Sequence, residues 1–192
     1  MQIVGFIESF RFFDLIILFV LGVAFVLGFM QGTIRRILGI GSILFSFLLA
    51  ANLRDTLGSF FAANWHQFPP QYSYMIAFGF VFLVASIAFS LVIQGFYKHQ
   101  ALFARATAVD QLIGAVLGVV QALFIIGFGT IILDSFFRIP GIPQTTGELL
   151  FIRDLWSALD SSGTVHIFRD ALIPGFFTVF GALIPADVRG IV

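Results

Sequence analysis

The chain has 192 residues, 59% of them apolar and only 10% charged, with a mean hydropathy of +1.06. A soluble domain is roughly 45–50% apolar and about 25% charged; this composition could not cover a soluble surface, so the solvent it fits is lipid. Ten Lys and Arg against ten Asp and Glu, with no block of like charge, exclude the footprint of a nucleic-acid binder, and the absence of Cys excludes a disulfide framework, a thiolate metal site and a Cys nucleophile.

A membrane span needs about 20 predominantly apolar residues. The first candidate covers about residues 14–31, with Asp14 at its entry as a helix N-cap and Gly28 and Gly32 at its end. Because the residues before it carry only Arg11 against Glu8 and no small-x-small cleavage site follows, it reads as an uncleaved span and not a secretory signal. A polar step, Gln31 to Arg36, leads into the second candidate, about 34–52, which reaches adequate length if Arg35 and Arg36 snorkel to the headgroups. The segment from Asn64 to Tyr72 is rich in aromatic and amide side chains and fits an interfacial belt. The third candidate, about 72–97, places Ser86, Ser90 and Gln94 on one face; the second carries Ser42 and Ser46. The fourth, about 111–133, opens after Asp110, a second N-cap candidate, and ends at Asp134. It carries Gly114, Gly118 and Ala122 at intervals of four, a small-residue ridge that lets another helix approach closely, and the Gly28–Gly32 pair repeats that spacing.

Polar groups within these spans, Gln121 among them, need partners inside a bundle. Interhelical hydrogen bonding is the plain reading of Ser86, Ser90, Gln94 and Gln121, and a polar path is the alternative. No ionisable residue is expected deep in any span, which weighs against coupled transport. Asp110 falls at the same level as Arg35 and Arg36, so a charge cluster locking spans 1, 2 and 4 is expected there. Loop cations are Arg35, Arg36, Lys98 and Arg105 on one side against Arg11 and Arg54 on the other, which places both termini outside.

From Asp134 onward the composition turns amphipathic. Pro140 to Pro143 break the chain, and Thr145 with Glu148 read as a capping box opening a helix to about Asp160, with Leu149, Ile152, Trp156 and Leu159 on one face. Ser161-Ser162-Gly163 interrupt it, Val165 to Leu172 add another polar helical turn or two, and Pro174-Gly175 precede an apolar run, Phe176 to Ile184, too short to cross a bilayer. This tail, 136–192, is expected as short helices on the outer membrane face or folded back over a membrane domain of residues 1–135. The expected architecture is an all-α integral membrane protein, a four-helix transmembrane bundle with short amphipathic C-terminal helices.

No catalytic constellation emerges. His66, His99 and His166 fall on opposite membrane sides and give no metal site, and Ser161, Ser162, Asp160 and His166 crowd too closely along the chain for triad geometry, with no G-x-S-x-G elbow. No cofactor fingerprint is present.

Phe13-Asp14-Leu15-Ile16-Ile17, then Gly28, Gly32 and Arg35-Arg36, then Val109-Asp110-Gln111-Leu112-Ile113-Gly114-Ala115-Val116-Leu117-Gly118 resemble the colicin V production protein family, CvpA. The resemblance covers roughly 12–135, more loosely the tail around Ser157 to Ser162; it departs at Gln111, where the family often has a basic residue, and at Gln121, often basic or Gly. It implies a small inner-membrane protein of about four spans linked to colicin V export, envelope integrity and bile-salt tolerance. Some related membrane domains carry an extracytoplasmic serine protease, which implies that the end of span 4 faces outward. It supplies a pathway without a reaction, and no catalytic residues.

The expected function is therefore a non-enzymatic inner-membrane scaffold or accessory protein, multi-pass with both termini out. Its partners would be the lipid bilayer, an envelope or export membrane protein, or a second copy of itself. A small-solute or ion channel using the polar faces of spans 3 and 4 is the alternative, and a lipid-handling role for the 27 Phe a third.

Overall fold

A bilayer core offers no hydrogen-bond partner to the backbone, so a spanning chain must satisfy its own N–H and C=O groups within helices. The computed structural model describes residues 12–66, 69–96, 107–138 and 150–190, and among them all regular structure is helical. The long helices are α1 (Phe12–Gln31), α2 (Thr33–Asn64), α3 (Pro70–Phe96) and α4 (Thr107–Phe137). Then come α5 (Leu150–Asp160), α6 (Gly163–Ile167), a π turn (Phe168–Leu172), α7 (Ile173–Phe180), a 3-10 turn (Gly181–Leu183) and α8 (Ala186–Arg189). The Thr145–Glu148 capping box and the loop cations Arg11, Lys98 and Arg105 fall outside the described residues.

Local chemistry sets the boundaries. Gly32 alone separates α1 from α2; its φ of 74° lies in the left-handed region that glycine enters without strain, and this lets the chain reverse in one residue. Pro70 opens α3 at its first position, where a missing N–H costs nothing. Helix α2 is the main departure from expectation in length: it continues to Asn64, so Arg54 lies within a helix and not in a loop.

Helix α1 packs chiefly on α4 and makes few contacts with its chain neighbour α2. Gly118 meets Ala24, Gly114 meets Gly28, and Asp110 meets Gly32, so the two helices run antiparallel. The outer face of α1, with Leu18, Phe19, Val26 and Met30, is left exposed, as suits contact with lipid. Helices α2 and α3 form a second antiparallel pair, with Gly58 on Tyr74 and Phe45 on Phe89, and α2 also packs along α4.

The bundle centre is aromatic. The rings of Phe47 and Phe128 stack at 4.0 Å, Phe78 lies 5.4 Å from Phe47, and Phe82 is edge-on to both Phe47 and Phe128. Offset and edge-on pairs of this kind contribute about 0.5–1.5 kcal/mol each beyond burial. Phe176 of α7 completes the layer, 5.7 Å from Phe47 and 4.9 Å from Phe128.

Among the described residues, five helical segments are long and apolar enough to cross a membrane: Phe13–Gln31, Thr33–Asn64, Pro70–Phe96, Thr107–Phe137 and Gly163–Leu183. The fifth corrects the division of the tail into pieces too short to span. Pro174-Gly175 does not break the helix, because Pro174 falls in the first turn of α7 and the π turn before it already shifts the bonding, with Ile173 N–H donating to Phe168 O. Arg169 on this segment lies beside Asp134, whereas Phe176 lies beside Phe124 and Phe128, about 9–15 Å further down α4 at 1.5 Å per residue. Asn52 Nδ2 of α2 then donates to Leu183 O at 3.2 Å. Asn52 is again nearer the Asp134 end than Phe47, so after Phe176 the chain turns back toward the end from which it came.

Candidate functional site

Two polar assemblies stand out, one at each end of the bundle. At the Arg35 end a cavity of about 560 Å³ opens among α1, α2, α3 and α4. Four helices bring Ser86, Ser90, Gln94 and Gln121 to its wall together with Arg35, Arg36, Gln31 and Ser42. Its remaining wall is aliphatic, with Leu27, Leu83, Ile87 and Leu91, and its inner end is Phe82, whose ring packs on the aromatic centre. The lining therefore reaches from the Arg35 end to the edge of the aromatic centre.

Arg36 corrects two expectations. Instead of snorkelling outward it is 8% exposed and turns inward, its Nη1 donating to Gln121 Oε1 at 2.8 Å. Gln121 is eleven residues along α4 from Asp110, about 16 Å of helix, so a guanidinium does lie deep in the bundle. Gly39 makes the room: a Cβ there would fall 2.9 Å from the Gln121 amide nitrogen. The charge cluster with Asp110 does not form in the expected way. Asp110 O accepts from Thr33 Oγ1 at 2.9 Å, and its carboxylate faces Gly32, while Arg36 bonds the Gln121 amide. Within the cavity Gln94 Nε2 donates to Ser90 Oγ at 3.1 Å, but Arg36 Nε and Ser86 Oγ are buried without a partner.

The small-residue ridge lies between α1 and α4. A Cβ on Gly28 would sit 2.9 Å from Ala115 Cα, and one on Gly118 3.0 Å from Gly28 Cα; Ala122 is buried one turn further along. This surface is consumed within the chain, so a homo-oligomer would have to use another face.

At the other end Asp134 and Arg169 are 1% and 4% exposed and form a bidentate pair, Nε to Oδ2 at 2.8 Å and Nη2 to Oδ1 at 2.6 Å. Arg169 Nη1 also donates to Asp160, and Trp156 Nε1 donates to Asp134 Oδ1 at 3.0 Å while its ring stacks on Phe137. The π turn carries Arg169. Nearby, Asp14 accepts from Ser162 Oγ at 2.5 Å and from Thr164 N and Oγ1 at 3.2 and 2.8 Å. Asp14 and Asp110 both fall in the first turn of their helices, not at the N-cap position. They keep the favourable end of the dipole, but Asp14 serves the start of α6, whose cap is Ser162.

Asp134, Arg169, Asp160 and Trp156 are the functional candidates that sequence reasoning missed. The usable signal was one acid ending an apolar span and one Arg just ahead of the last apolar run.

A family model described as colicin V production protein matches residues 13–173, a stretch that takes in both assemblies and the ridge between them. The chain belongs to that family. Searches of curated proteins and of solved structures return no match. The colicin V production match reaches past α4 through the π turn to Ile173, so it includes the Asp134–Arg169 pair. Chemically, the Arg35 end offers a cationic donor, an amide and hydroxyls against apolar walls, a set suited to binding. The Asp134 end offers a saturated ion pair, a set suited to fastening one segment to another.

Proposed function

We propose that the chain is a non-catalytic scaffold or accessory protein of the bacterial inner membrane that serves colicin V production or export and envelope homeostasis. In this reading α1 to α4 cross the bilayer, both termini lie outside, and the segment from α6 to α8 enters about halfway from the outer side and returns. The observation that carries it is the buried Asp134–Arg169 pair: its carboxylate and guanidinium are spent on each other, on Trp156 and on Asp160, and so fasten a tail to the bundle end instead of doing chemistry. The fastened tail presents Phe151, Leu155, Ile167 and Val179 as exposed apolar side chains to a partner or to lipid.

The test is co-purification in mild detergent with an envelope or export membrane protein. The full chain is expected to hold its partner, and a chain ending at residue 138 to lose it; retention of both partner and phenotype by the shortened chain would overturn the reading. Single Cys placed at exposed Ser59, Thr107 and Ser157 of this Cys-free chain check the orientation in intact cells. An impermeant thiol reagent should label positions 59 and 157 and spare 107, and the inverse pattern would move the tail to the cytoplasm.

The polar cavity favours a second reading, a conduit for ions or small solutes. It would have to pass the Phe47–Phe128–Phe176 layer, so proteoliposomes are expected to show no flux. Flux that Gln121→Leu abolishes would establish the conduit instead.

A further inference from the structure

The cavity at the Arg35 end holds an unusual electrostatic arrangement. Its described lining carries two guanidinium groups, Arg35 and Arg36, and no carboxylate. Among the described residues neither arginine has an acidic partner; Arg36, more than nine-tenths buried, bonds a neutral amide through Nη1 and leaves Nε with no acceptor. A cation at membrane depth is costly unless something neutralises it. Ser86 Oγ, buried on α3 in the lining of the same cavity, is a second unused polar group. The volume, about 560 Å³, falls in the range of roughly 300–1,000 Å³ typical of pockets for molecules much larger than a bare oxyanion. Leu83, Ile87 and Leu91 of α3 add aliphatic surface to the lining, interspersed with Ser86, Ser90 and Gln94 of the same helix.

From this geometry we propose that the cavity is a binding site for an anionic amphiphile. Its phosphate or carboxylate head pairs with the guanidinium groups of Arg35 and Arg36 in the lining, and its hydrocarbon lies along Leu83, Ile87 and Leu91. A guanidinium suits this role because its planar fork meets an oxyanion with directed, charge-assisted hydrogen bonds. The proposal stands apart from the accessory-protein reading: a scaffold without the ligand, or a ligand site without the scaffold role, would each be recognisable.

The test uses the full chain, purified in a maltoside detergent that carries no charge, and three probes: decyl phosphate, decanol and inorganic phosphate. Binding is read by thermal stabilisation and by calorimetry. Decyl phosphate is expected to bind, with decanol and inorganic phosphate each weaker by about tenfold or more, since each lacks one half of the recognised chemistry. Arg36→Gln should weaken decyl phosphate by about tenfold and Arg36→Lys by less, the charge surviving without the fork. Ser90→Leu, at an exposed position on the cavity wall, should block the probe while the unliganded melting temperature is kept, which separates loss of site from loss of fold.

Equal binding of decanol and decyl phosphate, or undiminished binding by Arg36→Gln or Ser90→Leu, would overturn the proposal. Inorganic phosphate binding as tightly as decyl phosphate would overturn the amphiphile and leave a free anion as ligand. Native mass spectrometry of protein taken directly from membranes identifies the natural source. An anionic phospholipid retained by the wild type and lost in Arg36→Gln supports a bilayer lipid, and a retained non-lipid organic acid supports a soluble one.

Discussion

Asp134→Ala is expected to destabilise the protein by about 3–5 kcal/mol, the range for removing one partner of a buried ion pair. The substitution deletes the bidentate acceptor of Arg169 and the acceptor of the Trp156 indole, and it leaves a guanidinium that is 3% exposed with only Asp160, whose side chain is 41% exposed. Reversible unfolding in mixed maltoside and dodecyl sulfate micelles measures the loss. Protease cleavage after Arg138, faster in the variant, should show that the tail has come away first. Arg169→Met in the Asp134→Ala background should recover part of the loss, because no charge is then buried alone, and the four proteins together give the coupling energy. A loss below about 1 kcal/mol, as for solvent-screened pairs, would show that the pair does not anchor the tail.

Gly28→Ala is expected to cost about 1–3 kcal/mol, as overpacking does in tight cores, and Gly28→Leu to prevent assembly of α1 on α4. The new methyl would meet Ala115 Cα at 2.9 Å and the Gly114 carbonyl closer still, and backbone atoms of a packed helix cannot swing aside as a side-chain tip can. Gly32→Ala adds a separate penalty of about 1–2 kcal/mol for a left-handed backbone, since φ is 74° there. Gly22→Ala in the same helix is the control: nothing lies within 4 Å of its Cβ, so the loss should be absent and a small gain from helix propensity is expected. Equal behaviour of Gly22→Ala and Gly28→Ala would show that the ridge is not a packing surface.

What could be read in advance depended on whether the information was local. Apolar length and the one-sided placement of Ser86, Ser90 and Gln94 are properties of a single helix, and the spacing of Gly28, Gly32, Gly114 and Gly118 is periodic in the same way; all were legible in the sequence. The direction of Arg36 was not, because it depends on Gly39 leaving space and on Gln121 arriving from a helix far along the chain. The Asp134–Arg169 pair was hidden for a similar reason: each residue alone looks like an ordinary charge at a membrane boundary, and only the fold-back of the tail brings them together. Pro174-Gly175 misled in the opposite sense. A proline reads as a breaker, yet at the first turn of α7, behind a π turn, it breaks nothing.

The pairing of α1 with α4 has a consequence for how the protein is made. Thr33, the first residue after α1 and its Gly32 turn, is 77 residues from its partner Asp110 of α4. At synthesis rates of about 5–20 residues per second, roughly 4–15 s pass between the emergence of one and of the other. Through that interval the first helix has little support from the second, and its glycine face stays without the surface it fits. It must wait beside the insertion machinery or in open lipid, which makes that pause the moment when a competing helix with a similar small-residue face could capture it.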